Sequence, residues 1–373
     1  MIKKKVIPHG VLLMAAMVLV ACGGGGGGNG ATGGTPLGPA PLSTPDDGVK
    51  TIALLAATTS DLGVGDSPLT AKSSQTPGEK SLFVASATAI KEWSLRRSTT
   101  SKSTESYGTR AKAEITEDCD TGRTVYYDPV SRTIPSPVFP QDNILRVVPG
   151  EDFDCVYFVN DTGSIRDEYD GSFEDGCSID EFSTCDGEMF YFKQGTPANR
   201  YRLAFIDEST GVESSAVSIL FAEVHVYFPE QDTLAAVKLD LDLTLRDGGE
   251  AFRGNFQLGG SDFFVVKDAP GMTVMTTTLE LDGDVGFSSP DAPATCTVGK
   301  VNFDTTEPLV LSTDPDSFSE SITDGVLKIS SGGNIATLTF NADKSVTVQI
   351  NDGASKTYTE AEFNALVADS SCV

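Results

Sequence analysis

The chain is 373 residues long, 39% hydrophobic and 21% charged, enough for two domains or for one long β domain with an appendage. Its 53 acidic residues against 27 basic ones give a formal net charge of −26, the wrong sign for gripping nucleic acid by its phosphates or for adsorbing to anionic lipid. With only two histidines, His9 and His225, a zinc site built on several histidines is excluded, as is chemistry that needs two of them in the body of the chain.

Lys3, Lys4 and Lys5 precede an apolar run from Val11 to Ala21 that ends in Leu19-Val20-Ala21-Cys22. A run this short cannot cross about 30 Å of hydrocarbon as a helix, which takes about 20 residues, so residues 1–21 read as a signal peptide. Leu19-Val20-Ala21-Cys22 resembles the lipobox of bacterial lipoproteins. That resemblance implies lipidation of Cys22, attachment to the membrane through N-terminal acyl chains and, because Gly23 rather than an aspartate follows, sorting to the Gram-negative outer membrane. The glycine run from Gly23 to Gly28 is also similar to the start of surface-displayed lipoproteins of the transferrin-binding and heparin-binding type, which leaves the periplasmic and surface faces both open. Residues 22–48, rich in Gly and Pro, carry too little apolar surface to fold alone and read as a tether.

Thr44-Pro45-Asp46-Asp47 and Thr76-Pro77-Gly78-Glu79 each place a capping threonine, a proline at the first helical position and an acid at the third. They predict helices near 45–58 and 77–96 within a helical segment of residues 49–97. In the second, Leu82, Ala85, Ala89, Ile90 and Trp93 share a face that would pack on the chain's own β domain. Eight of the twelve residues from Ser98 to Thr109 are Ser or Thr, marking a linker over 98–110.

From residue 111 to 373 the period changes to that of strands. Val237, Leu239, Leu241, Leu243 and Leu245 alternate with Lys238, Asp240, Asp242, Thr244 and Arg246, and similar runs occupy 200–206, 216–228, 272–281, 335–340 and 345–350. Asp170-Gly171, Asp247-Gly248, Asp282-Gly283, Asp324-Gly325 and Asp352-Gly353 read as hairpin turns between them. The expected fold class is mainly β, an antiparallel meander forming a soluble barrel or a long curled sheet. Thr359-x-x-Glu362 before Phe363, Leu366 and Val367 predicts a short C-terminal helix.

Beyond Cys22 the cysteines are Cys119, Cys155, Cys177, Cys185, Cys296 and Cys372, an even number that in an exported chain reads as three disulfides. Sequence order favours Cys119 with Cys155, Cys177 with Cys185 and Cys296 with Cys372, one of 15 formal connectivities. Cys119-Asp120-Thr121-Gly122-Arg123-Thr124-Val125, Asp154-Cys155, Tyr169-Asp170-Gly171-Ser172 and Ile322-Thr323-Asp324-Gly325-Val326-Leu327 are similar to uncharacterised Gram-negative exported β proteins. That likeness implies fold and compartment and nothing about chemistry.

Between Glu151 and Phe190 there are 13 acids and one base, Arg166. Asp170, Glu174, Asp175, Asp180, Glu181, Asp186 and Glu188 are candidate Ca²⁺ ligands there, although no D-x-D-x-D-G loop is present and a solvated negative face is the plainer reading. Enzyme signatures are thin. Gly65-Asp66-Ser67-Pro68-Leu69 resembles the GDSL block of some esterases, without the strand before it or the D-x-x-H that should follow. Alternation puts His225 on a wet face with Glu223 and Tyr227, and Asp240 with Asp242 on a wet face where both should be solvated and ionised. No cofactor is expected beyond possible Ca²⁺. The expected function is a non-catalytic binding or structural role in the envelope, with a protein or glycan partner left open. The alternatives are a surface receptor or adhesin of the transferrin-binding type and a carbohydrate-active enzyme using paired carboxylates.

Overall fold

The structure, a computed structural model, describes residues 37–59, 115–158, 165–178, 188–194, 200–206, 213–229, 232–247, 250–271, 276–290, 299–313 and 320–369. Cys22, the expected helix at 77–96 and the GDSL-like block lie outside them. Two helices, α1 (Pro45–Thr59) and α2 (Glu360–Asp369), begin where their capping residues predict. Thr44 N donates to Asp47 Oδ2 at 2.8 Å while Asp47 N donates back to Thr44 Oγ1 at 3.2 Å. Thr359 N donates to Glu362 Oε2 at 2.9 Å, and Glu362 N to Thr359 Oγ1 at 3.3 Å. In each case a reciprocal pair satisfies backbone donors that the first turn would otherwise leave orphaned.

The other regular elements among the described residues are strands. The elements are β1 (Ile115–Asp118), β2 (Thr121–Tyr126), β3 (Val130–Arg132), β4 (Leu145–Phe158), β5 (Ile165–Ser178), β6 (Met189–Gln194), β7 (Arg200–Ile206), β8 (Glu213–Tyr227) and β9 (Thr233–Asp247). They continue through β10 (Glu250–Leu258), β11 (Phe264–Pro270), β12 (Thr276–Ser288), β13 (Gly299–Thr313), β14 (Glu320–Ser331), β15 (Asn334–Phe340), β16 (Val346–Ile350) and β17 (Ser355–Tyr358). The 17 strands form one antiparallel sheet, wound as a meander. Two of its lines are broken: β6 and β7 lie end to end between β5 and β8, and β10 and β11 between β9 and β12.

The expectation of a barrel is not met. Among the described residues β1 pairs only with β2 and β17 only with β16, so the sheet stays open. The turn assignments also divide. Asp247 faces Glu250 across a tight β9–β10 hairpin, and Asp352-Gly353 lies in the turn between β16 and β17. Asp170-Gly171, Asp282-Gly283 and Asp324-Gly325 instead lie inside β5, β12 and β14, with Gly283 at φ 134° and Gly325 at φ 114°. Register shifts fall beside them, between Leu279 and Asp282 and between Val310 and Leu311. Glycine there supplies a positive φ inside a continuing strand, where an irregularity bends the strand instead of ending it. A Cβ at Gly283 would sit 2.7 Å from Phe264 Cα, so the neighbouring strand closes on the bare backbone.

One face of the sheet carries the main core, with Phe256, Phe264, Phe287, Phe303 and Tyr358 among its largest fully buried side chains. Helix α1 adds Val49 and Ile52, and α2 adds Phe363 and Val367. The segment from Leu37 to Leu42, within the stretch that composition assigns to a tether, is docked on the sheet. Lys300 N donates to Gly38 O at 2.8 Å, Ala40 N to Lys300 O at 3.1 Å, and Ser331 Oγ to Ala40 O at 2.7 Å. Among the described residues no helix is long and apolar enough to cross a membrane.

Candidate functional site

The opposite face is wet over β14–β16 but covered over β4, β6, β8 and β9. The cover is the loop 133–144, which joins β3 to β4 and is closed by the buried Asn143. Ile134 N donates to Asn143 Oδ1 at 3.0 Å, and Asn143 Nδ2 donates to Ile134 O at 3.1 Å and Pro140 O at 2.8 Å. The loop thereby presses Ile134, Val138 and Phe139 onto Leu145, Val147, Tyr191 and Ala236, a second apolar cluster.

His225 lies beneath it, 0% exposed, which corrects the expectation of a surface histidine. Its ring stacks on Phe139 at 5.2 Å between centroids and tilts against Tyr191 at 5.3 Å and Phe263 at 4.6 Å. Nε2 lies 3.3 Å from Glu223 Oε1, and Nδ1 meets no partner among the described residues. Alternation placed His225 on the face away from the leucines, and that is where it is. The cover came from a loop that periodicity does not describe.

Sheet register puts Gly176, Tyr191, His225 and Ala236 in one row across four strands. The next row reads Glu174, Lys193, Glu223 and Lys238, with signs alternating. Lys193 Nζ donates to Glu223 Oε2 at 2.9 Å. Arg132, from the end of β3, donates to Glu174 Oε2, the same oxygen that receives the Tyr191 hydroxyl at 2.7 Å. Burial works to raise the Glu223 carboxyl, but the hydrogen bonds from His225 and Lys193 outweigh it and hold the group at about 2. Tyr191 moves the other way: burial and the Glu174 carboxylate push its hydroxyl well above the usual tyrosine range.

Arg132, Glu174, Tyr191, Lys193 and Glu223 wall an open cleft of about 690 Å³, with Tyr127, Ile134, Pro135, Pro149, Glu151 and Phe173 also in its lining. Tyr127 donates to Glu151 Oε2 at 2.9 Å across its rim. Arg132, Tyr127, Tyr191 and Lys193 carry no motif in the chain. Their only trace is the i, i+2 spacing of Tyr191 with Lys193 and of Glu223 with His225, which gains meaning once β6 is known to pair with β8.

The residues singled out from sequence fare unevenly. Cys119 and Cys155 form a disulfide, the first of the pairs that sequence order favours. Cys177 is buried and disulfide-bonded to a partner outside the described residues, where Cys185, Cys296 and Cys372 also lie. Of the calcium candidates, Glu174 is committed to Arg132 and Tyr191, and Asp170 is exposed on β5. Asp180, Glu181 and Asp186 fall outside the described residues. Among those described, including Asp175 and Glu188, no group of three or more His, Cys, Asp or Glu side chains is placed to hold a metal. Asp240 and Asp242 share the amide of Asn255, at 2.5 and 3.2 Å, and do not line the cleft. Burial, with help from the Asp242 charge, raises the Asp240 carboxyl, so it is not the fully solvated acid that alternation implied. Comparison of the chain with family models, with curated proteins and with solved structures finds no match.

Proposed function

We propose that this chain is an exported lipoprotein, anchored in the outer membrane through Cys22, whose β domain binds a ligand or partner and does not catalyse. The observation that carries the second half is the commitment of the cleft's acids. Each carboxylate in its wall already accepts from a cation or a phenol, and Glu223 is held at about 2. A general acid working near neutral pH needs a carboxyl raised toward that range, as a glycosidase pair does, and Glu223 is held in the opposite direction. The anchor rests on the lipobox-like Leu19-Val20-Ala21-Cys22, and the Cys119–Cys155 disulfide supports an oxidising compartment.

Cys22→Ser tests the anchor. Palmitate labelling should vanish and the chain should be released or remain unprocessed, whereas labelling that survives the change removes the assignment. Protease shaving of whole cells then separates the surface receptor, which is cut, from a periplasmic binding protein, which is not.

A further inference from the structure

We propose that the cleft between the loop 133–144 and strands β4, β5, β6 and β8 takes a neutral saccharide. The inference rests on the reading of the β domain as a binding module and names the ligand class of that same site. Its volume, about 690 Å³, falls within the range of about 300 to 1,000 Å³ that small-ligand sites occupy.

The charges select the ligand by being already paired. Arg132 holds Glu174 and Lys193 holds Glu223. An anionic ligand would meet the Glu151, Glu174 and Glu223 carboxylates in the same wall and would approach a chain of net charge −26. A cationic ligand would meet the like charges of Arg132 and Lys193 beside Glu174 and Glu223, and only Glu151, which accepts from the Tyr127 phenol, stands without a cation among the described residues. A wholly apolar ligand would strip water from both pairs and return no hydrogen bonds.

A polyhydroxylated neutral molecule disturbs neither pair. A carboxylate offers about four lone-pair sites, a guanidinium five N–H groups and an ammonium three, so each paired ion keeps unused capacity. Glu174 accepts both of its contacts at Oε2 and Glu151 its contact at Oε2, which leaves the Oε1 atoms of both open to ligand hydroxyls. Interleaved donors and acceptors are what adjacent sugar hydroxyls, each both donor and acceptor, require. At the rim Tyr127 is 39% exposed, and an aromatic side chain in the lining suits the polarised C–H groups of a pyranose.

The test is a glycan array probed with the full chain in detergent at low and high salt, followed by calorimetry on the best neutral oligosaccharide. Retention of neutral glycans with little salt dependence is expected. Tyr127→Ala should weaken binding about tenfold or more and Tyr127→Phe less, because the ring is kept. Arg132→Ala serves as a second reporter, and Tyr127 and Arg132 are both exposed enough that an unchanged circular dichroism melt should confirm folding. The proposal is overturned if the folded chain retains no saccharide, if it retains only acidic or amino sugars in a salt-dependent way, or if neutral binding is untouched by all three variants. Failure here leaves the binding-module reading standing for another ligand. Hydrolysis of a retained glycan by the unaltered chain would instead overturn that reading and keep the ligand class.

Discussion

The two ends of the sheet are built from similar strands and differ in how many of their faces are buried. Along β14, Leu327 and Ile329 are buried while Lys328 between them is exposed, and along β16 Val346 and Val348 are buried on the core side. Along β8 and β9 the alternation breaks: His225 and Val226 are both buried, and so are Ala235, Ala236 and Val237 in succession. The strands themselves have not changed character. What differs is the loop 133–144, which roofs the second face and turns a one-sided sheet into a two-sided layer holding an imidazole and, at the roof's edge, a charged cleft.

The contrast can be broken first at its ordinary end. Phe303→Ala removes a fully buried ring from the one-sided core and should cost about 3 to 5 kcal/mol in chemical denaturation, since the surrounding strands cannot close the cavity. A cost below about 1 kcal/mol would mean that this face is not the stabilising one. At the other end, the Cys119–Cys155 disulfide closes a ring with a sequence separation of 36, and the double replacement by serine should cost about 2 to 4 kcal/mol.

The roof itself is tested by Asn143→Ala. Losing the buried amide leaves the backbone groups of Ile134 and Pro140 without it, for about 1 to 3 kcal/mol, and should shift the His225 ring resonances as Phe139 lifts. Unchanged His225 resonances would show that the loop is held by something else.

Acid titration sharpens the comparison without a large mutation. Glu223 has a folded value of about 2 against 4.5 when unperturbed. Its contribution to stability is therefore fully present above about pH 5 and drains away as the pH falls through 4.5 toward 2. In Glu223→Gln that part of the acid dependence should be missing from denaturation midpoints, and identical pH profiles would deny that the Lys193–Glu223–His225 contacts matter in solution. The smallest effect is expected at Lys267–Glu280, where both side chains are 39% exposed: Lys267→Ala should cost no more than about 1 kcal/mol, and less in high salt.

Much of this was legible in the chain before folding. Both capping boxes act through their immediate neighbours, so Thr44 with Asp47 and Thr359 with Glu362 announce α1 and α2 where they occur. The strand runs at 200–206, 335–340 and 345–350 coincide with β7, β15 and β16 because a period of two expresses burial on one face. The Asp-Gly pairs were ambiguous for a local reason. Such a pair favours a positive φ without saying where the chain turns, and Gly171, Gly283 and Gly325 adopt it inside continuing strands.

What tertiary structure alone decided is the register and the roof. No local pattern states that Glu174, Lys193 and Glu223 stand side by side on three strands, since their pairing depends on how β5, β6 and β8 are aligned across loops of unequal length. Nor does the proline-rich composition of 133–144 reveal that Phe139 will stack on a histidine more than eighty residues further along. Whether a strand face stays wet is set by what else folds over it. Periodicity determined which side of β8 His225 would take, and the long-range packing of a single loop determined that this side would be dry.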